Sequence, residues 1–166
     1  MKSLDLAAQY LGVQEVTPND GPVLKAMRAG LGLPDEPMSW CGAFVAWILS
    51  RAYVAPGGSL RQFLTHSLGF RSPFYLESTR DWLAQAKTCG MLTDKPEPGD
   101  LFILTNGLGQ AHHIGFVMTA PLLGHFGTIE GNTNAGGSVN GDGVYRRERV
   151  AYPSVKFIRL PESLKG

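Results

Sequence analysis

Apolar residues recur at helical spacing through the first half of the chain and alternate as in strands through the second. Leu4, Ala7, Ala8 and Leu11 mark a short helix that Gly12 closes. Asn19-Asp20-Gly21-Pro22 is a turn leading into a second helix, with Val23, Leu24 and Met27 on its buried side and Gly30 as its stop. Ser39 is the predicted N-cap of a third helix, of which Trp40 and Cys41 are then the first residues. Ala43, Phe44, Val45, Trp47, Ile48 and Leu49 leave that helix little polar face, so it should be central and covered all round. Between Tyr53 and Tyr75 the pattern breaks. Pro56-Gly57-Gly58 and Ser72-Pro73 flank a stretch with room for a short helix, read mainly as a loop insertion over the surface, residues 53–75. Ser78-Thr79-Arg80-Asp81 resembles a capping box opening a helix through Trp82, Leu83 and Ala86 that ends near Gly90.

After Gly90 the period shortens. Leu101 to Leu104, His113 to Met118, Gly127 to Glu130, Val144 to Val150 and Val155 to Leu160 read as strands separated by glycine-, asparagine- or proline-bearing turns. Helices first and strands afterwards predict an α+β fold, the apolar helix packed on a C-terminal antiparallel sheet of about five strands.

The 166 residues suit one domain, taken as 1–166. With 17% charged residues and a net charge of +1, nothing favours nucleic acid as a partner. No apolar run approaches the roughly 20 residues of a membrane span, so no membrane insertion is expected. Asp5 and Gln9 interrupt the N-terminal apolar residues, so no signal peptide is expected and synthesis is assigned to the cytoplasm. The two cysteines, Cys41 and Cys89, make no disulfide framework, although one bridge between them would consume both thiols.

Cys41 is the first candidate for chemistry. A thiol in the first turn of a helix meets backbone N–H groups and the positive end of the helix dipole, which favour thiolate. The competing reading is a small buried hydrophobe. A cysteine nucleophile needs a base. His66 and His125 read as surface residues, whereas His112 and His113 open a strand. Alternation puts His113 with Gly115 and Val117, and Gly115 leaves room beside the imidazole for a helix terminus and a substrate; a one-residue slip would exchange the two histidines. On the next strand Glu130 and Asn132 share a face if the strand extends that far, and either could orient the imidazole; the alternative is a solvated strand end followed by a turn.

Trp40-Cys41-Gly42-Ala43-Phe44-Val45-Ala46-Trp47, Pro98-Gly99-Asp100, His113-Ile114-Gly115-Phe116-Val117 and Glu130-Gly131-Asn132 occur in this order. Together they resemble the CHAP amidase/peptidase family of papain-like peptidoglycan hydrolases, common in phage lysins (endolysins) and bacterial cell-wall enzymes. Gly12-Val13-Gln14-Glu15 and Asn19-Asp20-Gly21-Pro22 fit a single-domain branch of that family. The resemblance implies Cys41 as nucleophile, His113 as base, Glu130 as its orienting group and Asn132 as a polar residue positioning the histidine or the oxyanion. Trp40 and Gly115 are assigned to the substrate side. It further implies amide hydrolysis without a cofactor and peptidoglycan as the partner, cut at the muramoyl–alanine amide or within the peptide. The enzyme would be monomeric and reach the cell wall or periplasm by release or delivery. The 53–75 segment is longer than the family pattern leads one to expect, and would be a lid or a wall of the cleft.

Three other readings remain open. A zinc hydrolase could use His, Cys and Glu, but the paired-ligand spacing of a metal helix is missing. An inactive wall-binding module would have no need of both Cys41 and His113. A secretion-delivered toxin would share the chemistry and have an immunity protein as partner. Arg146, Arg147 and Arg149 read as a solvated face, or else as contacts for substrate carboxylates.

Overall fold

The computed structural model describes residues 2–134 and 141–162. Five helices precede six strands: α1 (Lys2–Ala8), α2 (Pro22–Leu31), α3 (Cys41–Tyr53), α4 (Leu60–Leu68), α5 (Thr79–Thr88), β1 (Leu92–Thr93), β2 (Leu101–Thr105), β3 (Ala111–Val117), β4 (His125–Thr133), β5 (Gly143–Val150) and β6 (Val155–Ile158). The strands form one antiparallel sheet in the order β1-β6-β2-β3-β4-β5, so the fold is α+β. The strand beyond the expected five is β1, a two-residue pairing at the far side of β6.

As its sequence requires, α3 is covered nearly all round. Phe44, Val45, Ile48 and Leu49 are buried against Ile103, Ile114, Phe116 and Ile129 of the sheet. A smaller cluster, Phe102, Val117, Phe126, Val155 and Phe157, is built from the alternate positions of the same strands. Asp100 of the Pro98-Gly99-Asp100 turn is fully buried and ties β6 to the start of β2. Its carboxylate accepts from the N–H of Glu97 (2.8 Å), Nε of Arg159 (2.9 Å) and the N–H of Leu160 (2.9 Å). Residues 12–15 cover the outer edge of β5, through Gly12 N–H to the Val144 carbonyl (3.1 Å) and Val144 N–H to the Val13 carbonyl (2.9 Å).

Three differences from the reading of the sequence bear on the placing of α3 and its surroundings. α2 runs through Gly30 and ends at Gly32, which takes the left-handed conformation (φ 66°). Gly30 serves packing instead, since a Cβ there would lie 2.3 Å from the Trp47 ring. α3 begins at Cys41, with Trp40 in the N-cap position and no side chain capping it; Ser39 is engaged elsewhere. Third, residues 53–75 are not a surface insertion. Ser59 caps α4 by accepting from the N–H of Gln62, and Leu60, Leu64, Leu68, Phe70, Phe74 and Leu76 all enter the core. The i, i+4, i+8 spacing of the three leucines carried that signal, but the flanking proline and glycines obscured it. Ser78 caps α5 as predicted, accepting from the N–H of Asp81 at 3.2 Å.

The chain just before α5 presses on the first turn of α3. A Cβ on Gly42 would lie 2.2 Å from the carbonyl oxygen of Glu77, a backbone atom that cannot swing aside. Gly42→Ala would gain helix propensity of about 1 kcal/mol, yet the clash outweighs it. The variant is expected to be less stable by ~1–3 kcal/mol, measured by urea denaturation. Equal or higher stability would contradict this close approach.

Candidate active site

Cys41 stands at the start of α3, and the first intrahelical bond there runs from the N–H of Phe44 to the carbonyl of Trp40 (2.7 Å). The N–H groups of Cys41, Gly42 and Ala43 precede that bond and have no partner within the helix. Both cysteines are free; Cys41 is 3% exposed, and Cys89 caps the end of α5 with its thiol 3.3 Å from the Gly69 carbonyl.

β3 brings the base. Leu104 of β2 opposes His113 and Thr105 opposes Ala111, so His112 is the extra residue of a bulge. His113 still lies in the regular register with β2 and is completely buried, whereas His112 is exposed. His113 Nε2 lies 2.8 Å from Glu130 Oε2. Its Nδ1 is buried without a hydrogen bond of standard geometry, although the Cys41 thiol is near enough to strengthen the ring's hold on a proton. The thiol and imidazole are thus adjacent but not tightly bonded, a common state of catalytic pairs without substrate. With Nε2 committed to Glu130, Nδ1 is the nitrogen left for Cys41.

Glu130 is fully buried and held on both oxygens. Thr128 donates to Oε1 (2.6 Å), Arg149 Nε donates to Oε1 (2.8 Å), and Arg149 Nη2 donates to Oε2 (2.5 Å). Burial works against its charge, but the guanidinium of Arg149 and the imidazole of His113 outweigh it and hold the carboxyl down at about 2. Burial likewise disfavours an imidazolium at His113, yet Cys41 and Glu130 prevail and raise it to about 9. At His112 partial burial, followed by the charges of His113 and Arg149, depresses proton affinity.

A second bulge lies between Glu130 and Thr133 of β4, where Asn132 adopts the left-handed conformation (φ 56°). Alternation is lost there, so Asn132 does not join Glu130 beside the imidazole. Its amide turns to the start of α3. With the oxygen facing that way it accepts from Ser39 Oγ (2.8 Å) and Trp40 N–H (3.3 Å), and its nitrogen donates to the Gly141 carbonyl (3.2 Å). Asn132 therefore ties β4 to Ser39 and Trp40, the two residues that lead into α3.

Trp40 and Gly115 are both engaged in packing. The indole is 2% exposed, packs edge-on against Phe44 and donates from Nε1 to Glu15 (2.7 Å), which anchors α3 to the 12–20 segment. The space left by Gly115 is filled by the Phe102 ring and Glu130 Cγ, where a Cβ would sit 2.7 and 3.1 Å away. That glycine makes room for the orienting carboxylate. Arg149 escaped sequence reasoning as one of three arginines on a late strand. It stands opposite Phe126, not opposite Glu130, and reaches the carboxylate lengthwise along the sheet. His66 and His125 lie outside the site, on α4 and at the start of β4. Among the described residues no three His, Cys, Asp or Glu side chains are grouped to hold a metal ion.

The chain matches no family model, and no curated protein matches it.

The His113–Glu130 pair makes stability depend on pH. His113 holds its proton more tightly folded, at about 9, than at its ordinary 6.5, so its contribution is complete below 6.5 and disappears as pH rises through 9. Glu130 is depressed from 4.5 to about 2, so its contribution is complete above 4.5 and is lost as pH falls through 2. The loss in urea midpoint caused by Glu130→Gln is expected to be greatest between pH 4.5 and 6.5 and to narrow on either side. A loss independent of pH would contradict the pairing.

Proposed function

We propose that the protein is a cysteine hydrolase of papain-like type that cleaves amide bonds through a thioester. The observation that carries this reading is the convergence of a helix-terminal thiol, a buried imidazole and a buried carboxylate in that order, from three separate elements. Buried charge of this kind is costly to maintain and concentrates at functional sites.

Cys41 Sγ, as thiolate, attacks the carbonyl carbon. The oxyanion that forms is met by N–H groups at the start of α3, where the helix dipole also favours negative charge. The imidazolium of His113 gives its proton to the leaving nitrogen as the C–N bond breaks, leaving a thioester on Cys41. Water then loses a proton to His113 and attacks the thioester, releasing the acid and the Cys41 thiolate. Through both steps Glu130 holds Nε2–H, so that Nδ1 exchanges the proton. An imidazole that retains its proton up to about 9 is a ready proton donor to the leaving nitrogen.

Peptidoglycan is the substrate class, on the strength of the motifs Trp40-Cys41-Gly42, His113-Ile114-Gly115 and Glu130-Gly131-Asn132 and their resemblance to the CHAP family. Zymography on purified cell wall tests it. Wild-type protein is expected to clear the wall, Cys41→Ala and His113→Ala to lose at least about 100-fold in rate, and EDTA to have no effect. Clearing that survives Cys41→Ala would sink the thiol mechanism, and loss of clearing in EDTA would favour a metal. Mass spectrometry of the fragments would identify the bond cut.

A further inference from the structure

We infer that Arg149 is a positioning residue of the site: by gripping both oxygens of Glu130 it keeps that carboxylate ionised, and so keeps the proton of His113 on Nε2 and Nδ1 open to Cys41. The inference rests on the proposed roles of Cys41 and His113. It starts from the fork that Nε and Nη2 of Arg149 make with Oε1 and Oε2. A two-point grip of this kind fixes orientation as well as charge. Glu130 has no solvent exposure, while the Arg149 side chain is 15% exposed, so the guanidinium closes the buried chain on its outer side.

Besides Thr128 of its own strand, the groups around Glu130 come from three elements. α3 contributes Cys41 through the imidazole, and β3 contributes His113, with His112 exposed beside it. From β5 come the Arg149 guanidinium and the Arg147 carbonyl, whose oxygen lies 3.4 Å from the Thr128 hydroxyl. With Arg149 present, thiol with neutral imidazole and thiolate with imidazolium both have zero net charge, because carboxylate and guanidinium cancel. The proton can then pass between Cys41 and His113 without changing the charge buried in the site. Remove Arg149, and either arrangement leaves one uncompensated negative charge in a place closed to water. Proton uptake by Glu130 relieves it most directly. A protonated Glu130 would donate its O–H to Nε2. The neutral ring would then carry its own hydrogen on Nδ1, facing the thiol, where it can no longer accept the thiol proton.

The test reads the thiol and the ring directly, so it needs no substrate. The rate of Cys41 alkylation by iodoacetamide is followed by mass spectrometry across pH, with Cys89 as internal reference, and the His113 tautomer is read by ¹⁵N NMR. In Arg149→Gln the acid limb of the alkylation profile is expected to move upward by ~1 pH unit or more, with Nε2 losing its hydrogen in the spectrum while Nδ1 keeps one. Arg149→Lys, which keeps the charge but not the fork, should fall between this and wild type. In a Glu130→Gln background, Arg149→Gln should add little, because no carboxylate remains to be held.

A wild-type acid limb and tautomer in Arg149→Gln would overturn the inference. So would an equal shift in the Glu130→Gln background, since Arg149 would then act by another route. If Arg149→Gln does not fold, Arg149→Lys decides: wild-type behaviour in both measurements overturns the inference. A wild-type Cys41 no more reactive than Cys89 would sink the proposed function and this inference together. A reactive Cys41 indifferent to Arg149 would sink the inference alone.

Discussion

A carboxylate without access to water must be met by donors on every side, and around Glu130 that requirement shapes the middle of the sheet. Thr128 comes from its own strand, His113 from β3 and Arg149 from β5, so three adjacent strands must keep their relative positions for the charge to be tolerated. Gly115 has to lack a side chain for Glu130 to fit. An unpaired buried charge would cost on the order of 3–5 kcal/mol, a large part of the stability of a domain of this size. The fold therefore holds the carboxylate and the carboxylate in turn fixes the ring of His113.

The two irregularities of the sheet fall where the site is. In β3 the regular pairing with β2 runs as far as Leu104 and His113 and leaves His113 between Phe102 and Glu130, while the extra residue at the bulge, His112, is exposed. A regular β4 would keep Asn132 alongside Glu130; the second bulge sends its amide to Ser39 and Trp40 instead. One strand thus reaches both ends of the candidate site, the His113 ring through Glu130 and the start of α3 through Asn132.

The remainder of the molecule immobilises α3. Trp47 fits over Gly30 of α2 and bonds Tyr10, Trp40 is tied to Glu15, and the Glu77 carbonyl lies on Gly42. The segment 53–75 contributes to this packing through Leu64, Phe70 and Phe74 and is part of the core. A thiol mounted on a helix held from several sides has little freedom to leave its imidazole, which is the preorganisation that a nucleophile–base pair needs.

By itself the sequence determined what local periodicity can encode. The all-apolar run after Cys41 required a covered central helix, alternation after Gly90 required strands, and Ser78 with Asp81 marked the start of α5. It also pointed to Cys41, His113 and Glu130, because their types and flanking residues are written in the chain. Tertiary structure decided everything that depends on register. Where a bulge inserts a residue, counting by two fails, so the destination of Asn132 could not be read along β4. Arg149 meets Glu130 from a position opposite Phe126, a contact set by strand pairing and by the reach of a long side chain. The indole of Trp40, next to Cys41 in the chain, is engaged by Glu15 and Phe44. Neighbours in sequence are governed by backbone geometry, whereas the partners of a buried polar group are whichever donors packing brings within about 3 Å.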